Sequence, residues 1–253
     1  VPVDMTWDKI WAYNRKLIDP VAPRFFAVSE DDSVILKLDQ GNLPTGGSDG
    51  IALSVPFHPK DTDGSKYGFK ALRIGAEILL ERQDCVEIAD GEEITLSRWG
   101  NVIVHSVQRD NTGRITGLTG EYNPNGSFKT TKKRLQWVAK SKDNVSVEMH
   151  EFGYLLNAPK ILKDDDDNIV DADGNLSSFE DYLNPVEKTH AVSRLIGEAS
   201  LRLVNADDVI QLERIGYFRC DRSSTSTSAL TLFMIPDGKE KAMSSRSTKL
   251  AHA

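Results

Sequence analysis

Apolar residues near the start of the chain recur with the 3.6-residue period of an amphipathic helix. The residues on this period are Trp7, Ile10, Trp11, Leu17 and Ile18. Thr6 is a suitable cap at the start, and Pro20 and Pro23 end the pattern. We therefore expect one short helix here, with Trp7 and Trp11 packed along one stripe of it.

The apolar period then changes to two, which is typical of β-strands. The segments that follow this period are Phe25–Val28, Val34–Leu38, Ile51–Val55, Ile78–Leu80, Ile94–Leu96, Val102–Val107, Ile115–Leu118, Leu135–Val138, Val145–Met149, Val209–Leu212, Tyr217–Cys220 and Leu230–Met234. Turn sequences such as Asp110–Gly113 and Asn123–Gly126 separate them. Many short strands at near-regular spacing favour closed antiparallel barrels over a parallel sheet with long crossover helices. The pattern predicts a mainly β protein.

The number of strands suggests two domains. A chain of 253 residues has room for one large domain or two modest ones, and the strands divide near residue 145 into two halves of barrel size. We expect a connecting helix over residues 1–20 and a first β-barrel over 21–145. A second β-barrel is expected over 146–253, ending in a polar tail.

Composition excludes several classes of protein. Two cysteines, Cys85 and Cys220, are too few for a disulfide framework or a four-ligand zinc site, and the five histidines have no ligand spacing, so we predict no metal site. The longest stretch without a charge, Ser223–Pro236, is too short and polar to cross a bilayer, which takes roughly 18 apolar residues. The chain does not begin with Met and lacks a secretory pattern. We expect an excised piece of a longer protein in a reducing compartment.

The negative charge of the chain is concentrated in one segment. Residues Asp164–Asp181 hold eight acidic side chains and no Lys or Arg, so without them the formal charge of −7 would become +1. We expect a solvated, self-repelling loop there rather than a cation site, because its spacing lacks the final Glu of a calcium loop. By contrast, Tyr122–Lys142 holds six basic residues and no carboxylate, interleaved with Phe128 and Trp137. This stripe is compatible with a nucleic-acid partner.

Five separated blocks of sequence point to one family. They are Trp7–Asn14 with Ile18–Arg24, Gly91–Leu96 with Trp99–Asn101, Lys132–Lys133 ahead of Trp137, Ile210–Phe218 with Cys220–Asp221, and Ile235–Gly238. In order and spacing they resemble the anticodon-binding region of glutamyl-tRNA synthetases of the eukaryotic and archaeal type. The resemblance covers roughly Trp7–Lys239, nearly the whole chain.

The resemblance implies the C-terminal half of a class I aminoacyl-tRNA synthetase, with two β-barrels of the ribosomal-protein L25-like kind that exchange N-terminal strands and bind the anticodon loop of tRNA(Glu). It implies no catalytic residue and no cofactor in this chain, because an upstream domain of the complete enzyme uses ATP and Mg to attach glutamate to the tRNA. The tail Lys241–Ser247 resembles a catalytic loop of that domain, which we interpret as a coincidence. The resemblance also implies a cytoplasmic enzyme without a membrane partner. Its other partners would be synthetases or an assembly cofactor, bound through parts outside this chain.

Nine residues are candidate RNA contacts, since loop bases are recognised by stacking and along their Watson–Crick edges. The contacts to bases or anticodon phosphates that the matched blocks imply are Arg24, Gln211 and Arg214. Candidates from a turn beside Trp99 are Arg98 and Asn101. The residues expected to contact phosphates are Lys129, Lys132, Lys133 and Arg134.

Structural alternatives exist for several of these residues. Arg214 could instead pair with Asp221 across the hairpin at Gly216. Gln211 and Arg214 point to opposite faces of a regular strand unless a bulge or the strand end re-aims one of them. Trp99 and Trp137 are expected in the core rather than as stacking platforms. The alternative functions are the same region of a glutaminyl-tRNA synthetase and a non-catalytic protein-interaction module.

Overall fold

Of the residues that the structure describes, 43% lie in strands and 13% in helices, so the fold is mainly β. The structure, a computed structural model, describes residues 7–44, 51–158 and 160–237. Its helices are α1 (Trp7–Ile18), α2 (Arg82–Cys85) and α3 (Val186–Thr189), and short 3₁₀ helices span Gln40–Asn42, Glu180–Tyr182 and Ala199–Leu203. The predicted mainly β fold with a short N-terminal helix is confirmed. Thr6 and the tail Lys241–Ser247 lie outside the described residues.

The strands are short and follow one another along the chain. They are β1 (Arg24–Phe25), β2 (Ala27–Ser29), β3 (Ser33–Asp39), β4 (Ile51–Pro56), β5 (Phe69–Ile74), β6 (Glu77–Glu81), β7 (Glu93–Leu96), β8 (Gly100–Arg109), β9 (Ile115–Asn123), β10 (Arg134–Leu135), β11 (Trp137–Ala139), β12 (Val145–Phe152), β13 (Leu162–Lys163), β14 (Ile169–Val170), β15 (His190–Gly197), β16 (Val209–Leu212), β17 (Gly216–Arg222) and β18 (Leu230–Ile235). Every segment predicted from the period of two coincides with at least one of these strands.

One barrel-like sheet contains seven strands in the order β10-β7-β8-β9-β3-β6-β11. Inward-facing residues alternate along β3, where Val34, Leu36 and Leu38 are buried. Together with apolar residues of the other strands they form one core, in which Trp137 is fully buried. The prediction that Trp137 belongs to the core is confirmed.

A second barrel-like sheet has the order β1-β16-β17-β18-β12-β15-β2. It joins β1 and β2, from the start of the chain, to strands from its C-terminal half. Such a placement is what an exchange of N-terminal strands requires. The predicted domain boundary at residue 145 stays a prediction.

The segment that forms β1 and β2 contributes to both cores. Successive side chains of an extended chain point to opposite faces. Accordingly Phe25 and Ala27 pack in the core of the second sheet, while Phe26 and Val28 pack in that of the first. Gln136 donates a hydrogen bond to the Ala27 carbonyl oxygen from the other sheet. Four consecutive apolar residues are therefore buried here without being one continuous face.

Some strand pairs depart from the antiparallel pattern. The pairs β1 with β16, β10 with β7, and β3 with β9 are parallel, whereas hairpin neighbours such as β8 and β9 are antiparallel. Parallel partners need a long connection between them, and in each of these pairs other strands or loops intervene. The turn sequence Asp110–Gly113 does join the hairpin of β8 and β9. The hairpin expected at Asn123–Gly126 is wrong, because this turn leads from β9 to β10, which pairs with β7.

The chain divides into two compact units. The larger unit contains residues 17–149 and 194–235, and the smaller unit contains residues 1–16, 150–193 and 236–253. All candidate RNA contacts belong to the larger unit. None of the helices in the described parts of the chain is long and apolar enough to cross a membrane.

In the smaller unit the tryptophans of α1 differ from their prediction. Trp7 and Trp11 do stack on each other, with ring centroids 6.2 Å apart. However, Trp7 is 66% exposed, and α1 contains no buried residue. The expectation that the pair packs along a helical stripe is therefore wrong for Trp7.

The four aspartates at the start of the acidic segment, Asp164–Asp167, are exposed and form the turn between β13 and β14. This part is the solvated loop that the composition predicts, while β14 and the 3₁₀ helix Glu180–Tyr182 add short regular structure to the rest. The Asp164 carboxylate accepts hydrogen bonds from the backbone N–H groups of Asp166 and Asn168 at 3.0 and 2.9 Å. The strongest influence on the pKa of Asp164 is a hydrogen bond from the Asn168 side chain. Together with the backbone hydrogen bonds it lowers this pKa. Within the described ranges no cluster of three His, Cys, Asp or Glu side chains could hold a metal ion.

Candidate nucleic-acid interface

A cavity of about 570 Å³ brings four of the candidate RNA contacts together. We call it the arginine cavity. The residues of its wall that matter below are Arg24, Arg98, Trp99, Asn101, Tyr122, Phe128, Arg134 and Glu213. Its volume lies in the range of ligand sites, roughly 300–1,000 Å³. Three guanidinium groups and one carboxylate give this wall a net positive charge.

Arg24 enters the wall from strand β1. Its Nη2 donates to the Asp19 carboxylate at 3.1 Å, and the same oxygen accepts a hydrogen bond from the Tyr217 hydroxyl at 2.5 Å. The pKa of Asp19 is lowered, mainly by the hydrogen bond from Tyr217 and further by the charge of Arg24. These influences outweigh burial, which raises the pKa. Asp19 therefore stays charged and holds the Arg24 side chain, which is 19% exposed. The Arg24 carbonyl oxygen accepts from Lys70 Nζ at 2.7 Å.

Gln211 lies beside Arg24 on the paired strand. The two residues are Cα partners in the parallel pair of β1 and β16. In the described part of the chain, the buried Nε of Arg24 and Oε1 of Gln211 have no hydrogen-bond partner. A buried polar atom without a partner costs roughly 1–3 kcal/mol. The pair therefore offers one hydrogen-bond donor, Arg24 Nε, and one acceptor, Gln211 Oε1, for a ligand.

Arg98 lies in the hairpin turn between β7 and β8, with a left-handed backbone (φ +67°). Its Nη1 donates to the Pro56 carbonyl oxygen at 2.8 Å, its Nη2 pairs with Glu213, and its guanidinium lies over the Phe26 ring at 5.6 Å. A non-glycine residue keeps such a backbone only where its surroundings fix it. These contacts hold the Arg98 side chain in the cavity wall, where it connects the two sheets.

Trp99 lies between the core and the cavity. Its ring stacks on Tyr122 at 5.4 Å and contacts Trp137 at 5.0 Å. The Trp137 indole N–H donates to the Ser97 carbonyl oxygen at 2.9 Å, whereas the buried Trp99 Nε1 has no partner among the described residues. Trp99 is thus only partly the core residue that the sequence predicts.

Asn101 is buried, with 1% of its surface exposed. Its Nδ2 donates to Glu93 at 3.0 Å and its Oδ1 accepts from Thr95 at 2.9 Å. Both functional groups of its side chain are therefore engaged within the protein. Asn101 shapes the cavity wall, and its contact with RNA stays a prediction.

The four candidate phosphate contacts differ in their surroundings. Lys129, Lys132 and Arg134 are exposed, and the Arg134 guanidinium lies 5.7 Å from the centre of the exposed Phe128 ring. Lys133 is half-buried, where it binds the Glu92 carboxylate at 2.9 Å and the backbone. Phe128 and Arg134 line the arginine cavity, and Lys129 and Lys132 are their neighbours in sequence. We call these four residues the rim; Lys133 connects the same segment to the turn before β7.

Arg214 does not line the cavity. It follows the end of β16 with a left-handed backbone (φ +65°), so the strand end re-aims it relative to Gln211. Its guanidinium makes a bidentate pair with Asp84, at 2.6 and 2.8 Å. The alternative that Arg214 pairs with Asp221 is therefore wrong, because its ion-pair partner is Asp84. Half of the Arg214 side chain, 53%, stays exposed.

Two consecutive ranges of the chain match models of one family, described as class I tRNA synthetases (E and Q), anti-codon binding domain. The matched ranges are residues 22–123 and 134–221. They contain six of the nine candidate RNA contacts, while Lys129, Lys132 and Lys133 lie between them. The chain belongs to this family.

Curated relatives agree with this family. The chain is 38% identical, over 93% of its length, to the protein of Arabidopsis thaliana named glutamate–tRNA ligase, cytoplasmic. It is 33% identical over 93% of its length to the probable cytoplasmic glutamate–tRNA ligase of Schizosaccharomyces pombe. It is 32% identical over 94% of its length to the bifunctional glutamate/proline–tRNA ligase of Drosophila melanogaster. The chain spans 30% of the first two relatives and 13% of the third.

The sequence did not single out several residues that line the arginine cavity or hold its side chains. Glu213 lies inside the matched block Ile210–Phe218, but only the structure pairs it with Arg98. Tyr122 begins the basic stripe and Phe128 lies within it, and an exposed aromatic residue among lysines was a usable indication. Asp19 precedes Arg24 by five residues in the first block, a spacing that alone predicts no contact.

Proposed function

We propose that this chain is the tRNA-binding part of a glutamate–tRNA ligase and recognises the anticodon loop of tRNA(Glu) for aminoacylation. The family and the names of its relatives support this function. The observation that carries it is the arginine cavity, where Arg24 and Arg98 share a wall with Trp99. Splayed loop bases need such a combination of guanidinium groups and aromatic surface.

The neighbouring side chains of Arg24 and Gln211 suit an unstacked pyrimidine. Glutamate anticodons carry U in the middle and C at the third position. Uracil has an N–H donor between two carbonyl acceptors, and cytosine has acceptors at O2 and N3. Arg24 Nε supplies a donor and Gln211 Oε1 an acceptor, neither of which has a partner in the described residues. We assign these two residues to a base of the anticodon.

The remaining candidates are assigned to the backbone of the same loop. Lys129, Lys132 and Arg134 are exposed cations on the rim and would neutralise phosphates, which adds affinity without sequence information. Lys133 and Arg98 act through ion pairs with Glu92 and Glu213. For Arg214, a phosphate competes with Asp84 or uses the exposed side of the guanidinium.

We further propose that the complete protein is a cytoplasmic enzyme whose other parts bind ATP and Mg and form the glutamyl ester of tRNA(Glu). The names of the relatives and the small share of their length that this chain spans support this division of labour. The name of the Drosophila relative supports a second proposal, that partners of the complete protein include another synthetase activity.

Equilibrium binding of transcribed tRNAs to this chain tests the proposal. We expect tRNA(Glu) to bind more tightly than tRNA(Gln) and than tRNA(Glu) with a substituted middle anticodon base, and binding to weaken steeply with salt. Arg24→Gln should weaken binding of tRNA(Glu) by roughly 1–3 kcal/mol and reduce discrimination at one base. Arg219→Gln is the matched control, because Arg219 is an exposed arginine paired with Asp207 and does not line the cavity.

Two results would contradict the proposal. Equal affinity for tRNAs with native and substituted anticodons would exclude anticodon recognition by this chain. A preference for tRNA(Gln) would identify the region as that of a glutaminyl enzyme instead.

A further inference from the structure

A second polar cleft, of about 760 Å³, lies apart from the candidate RNA contacts. One side is the loop Ser224–Ala229, which joins β17 to β18. The other side is formed by Lys142, Asn144, Val145, Ser146 and Arg202. Asp143 is not among the lining residues, and its carboxylate pairs with Arg73 at 2.7 Å. We call it the serine cleft. It shares no lining residue with the arginine cavity.

The charge of the serine cleft is uniformly positive. Among its described lining residues, Lys142 and Arg202 are charged and none is a carboxylate. Both cations are exposed, and within the described ranges neither side chain has an ion-pair or hydrogen-bond partner. Lys140, two residues from Lys142 on the same segment, is by contrast paired with Glu77 at 3.1 Å. In a chain of net charge −7, two such cations at one carboxylate-free cleft attract an anion.

The hydroxyl groups of the loop complete an anion site. Thr225 Oγ1 accepts hydrogen bonds from the backbone N–H groups of Thr227 and Ser228 at 3.2 and 3.0 Å, which fixes the turn. The hydroxyls of Ser224 and Ser226 have no hydrogen-bond partner among the described residues. Serine hydroxyls and basic side chains are the groups that contact phosphate oxygens in nucleic-acid complexes.

We propose that the serine cleft binds backbone phosphates of the same RNA, outside the nucleotides held by the arginine cavity. This inference rests on the proposed function, since it assigns the phosphates to a bound tRNA. Lys142 and Arg202 neutralise phosphate charge, and Ser224 and Ser226 donate hydrogen bonds to phosphate oxygens. The cleft extends the contact with RNA and does not distinguish one sequence from another.

The salt dependence of tRNA binding tests this inference. Lys142→Gln and Arg202→Gln should each reduce the slope of log K against log salt concentration by about 0.7–0.9, and weaken binding roughly fivefold at low salt. The ratio of affinities for native and anticodon-substituted tRNA(Glu) should not change. Lys140→Gln is the matched control, because it removes the same charge two residues away but from a lysine already paired with Glu77.

The outcomes separate this inference from the proposed function. Equal slopes in the wild type, Lys142→Gln, Arg202→Gln and Lys140→Gln would overturn the serine cleft as an RNA site, while discrimination between anticodons would still support the proposed function. A loss of that discrimination in Lys142→Gln would overturn the assignment to phosphates. Absence of tRNA binding by the wild-type chain would overturn both.

Discussion

A buried ion pair between Lys70 and Glu198 stabilises the segment that carries Arg24. The side chains are 0% and 4% exposed, and Lys70 lies 5.0 and 5.2 Å from the ring centres of Phe25 and Phe26. Lys70 also donates to the Arg24 carbonyl oxygen at 2.7 Å. Replacing Glu198 by Gln leaves the ammonium group buried without its counter-charge. Breaking a buried pair in this way costs about 3–5 kcal/mol, a large part of the roughly 5–15 kcal/mol by which a domain is stable.

The cost of Glu198→Gln should depend on pH with a definite sign. Burial lowers the pKa of Lys70, and the charge of Glu198 opposes that shift. Without Glu198, Lys70 loses its proton in the folded state at a lower pH than in the unfolded state, so the unfolded state binds more protons. The free energy of unfolding then rises with pH. We expect the destabilisation to be larger at pH 7 than at pH 9.5.

Urea denaturation followed by tryptophan fluorescence at the two pH values measures this effect. The control is the double variant Lys70→Met with Glu198→Leu, which removes both charges and should be more stable than Glu198→Gln. A loss below about 1 kcal/mol at pH 7 would refute the strength assigned to the pair. A loss that grows with pH would refute the charge assigned to Lys70.

Three further changes have defined outcomes. Asp19→Asn should weaken tRNA(Glu) binding by roughly 1 kcal/mol, because a neutral amide holds Arg24 less firmly; unchanged affinity would exclude this positioning role. Gly120→Ala places its Cβ 2.5 Å from the Ile103 carbonyl oxygen, so we expect a loss of about 1–3 kcal/mol in denaturation, and an unchanged midpoint would contradict the close packing. Burial raises the pKa of Cys85 to about 12, so this thiol should react with a disulfide reagent at pH 8 only in denaturant; rapid labelling of the folded chain would contradict that burial.

The period of the apolar residues predicts most strands but not all of them. It misses β5 (Phe69–Ile74) because Lys70 occupies a buried position of that strand. A charged residue at a buried position interrupts the alternation of apolar and polar residues that predicts a strand. The counter-charge that makes this burial possible comes from Glu198, which is 128 residues away. No local pattern contains that information.

The sequence predicts part of the candidate site, as it predicts part of the strand set. Matched blocks identify Arg24 and Gln211, and the structure makes them neighbours across β1 and β16. The matched blocks do not indicate that Asp84 pairs with Arg214 or that Glu213 pairs with Arg98. The partners in these pairs are 130 and 115 residues apart in sequence. Long-range pairing determines which cations remain available, and the sequence pattern determines only where cations occur.

The position of the RNA relative to the arginine cavity is tested most directly by the indole N–H resonance of Trp99 in the ¹H–¹⁵N spectrum, assigned with Trp99→Phe. Addition of the anticodon stem-loop of tRNA(Glu) should shift this resonance and slow its exchange with water, since Trp99 lines the cavity and its N–H lacks a partner in the described residues. The Trp137 N–H, already bonded to Ser97, is the internal reference for exchange. A stem-loop that binds while the Trp99 resonance keeps its position and exchange rate would contradict the assignment of this cavity to the anticodon.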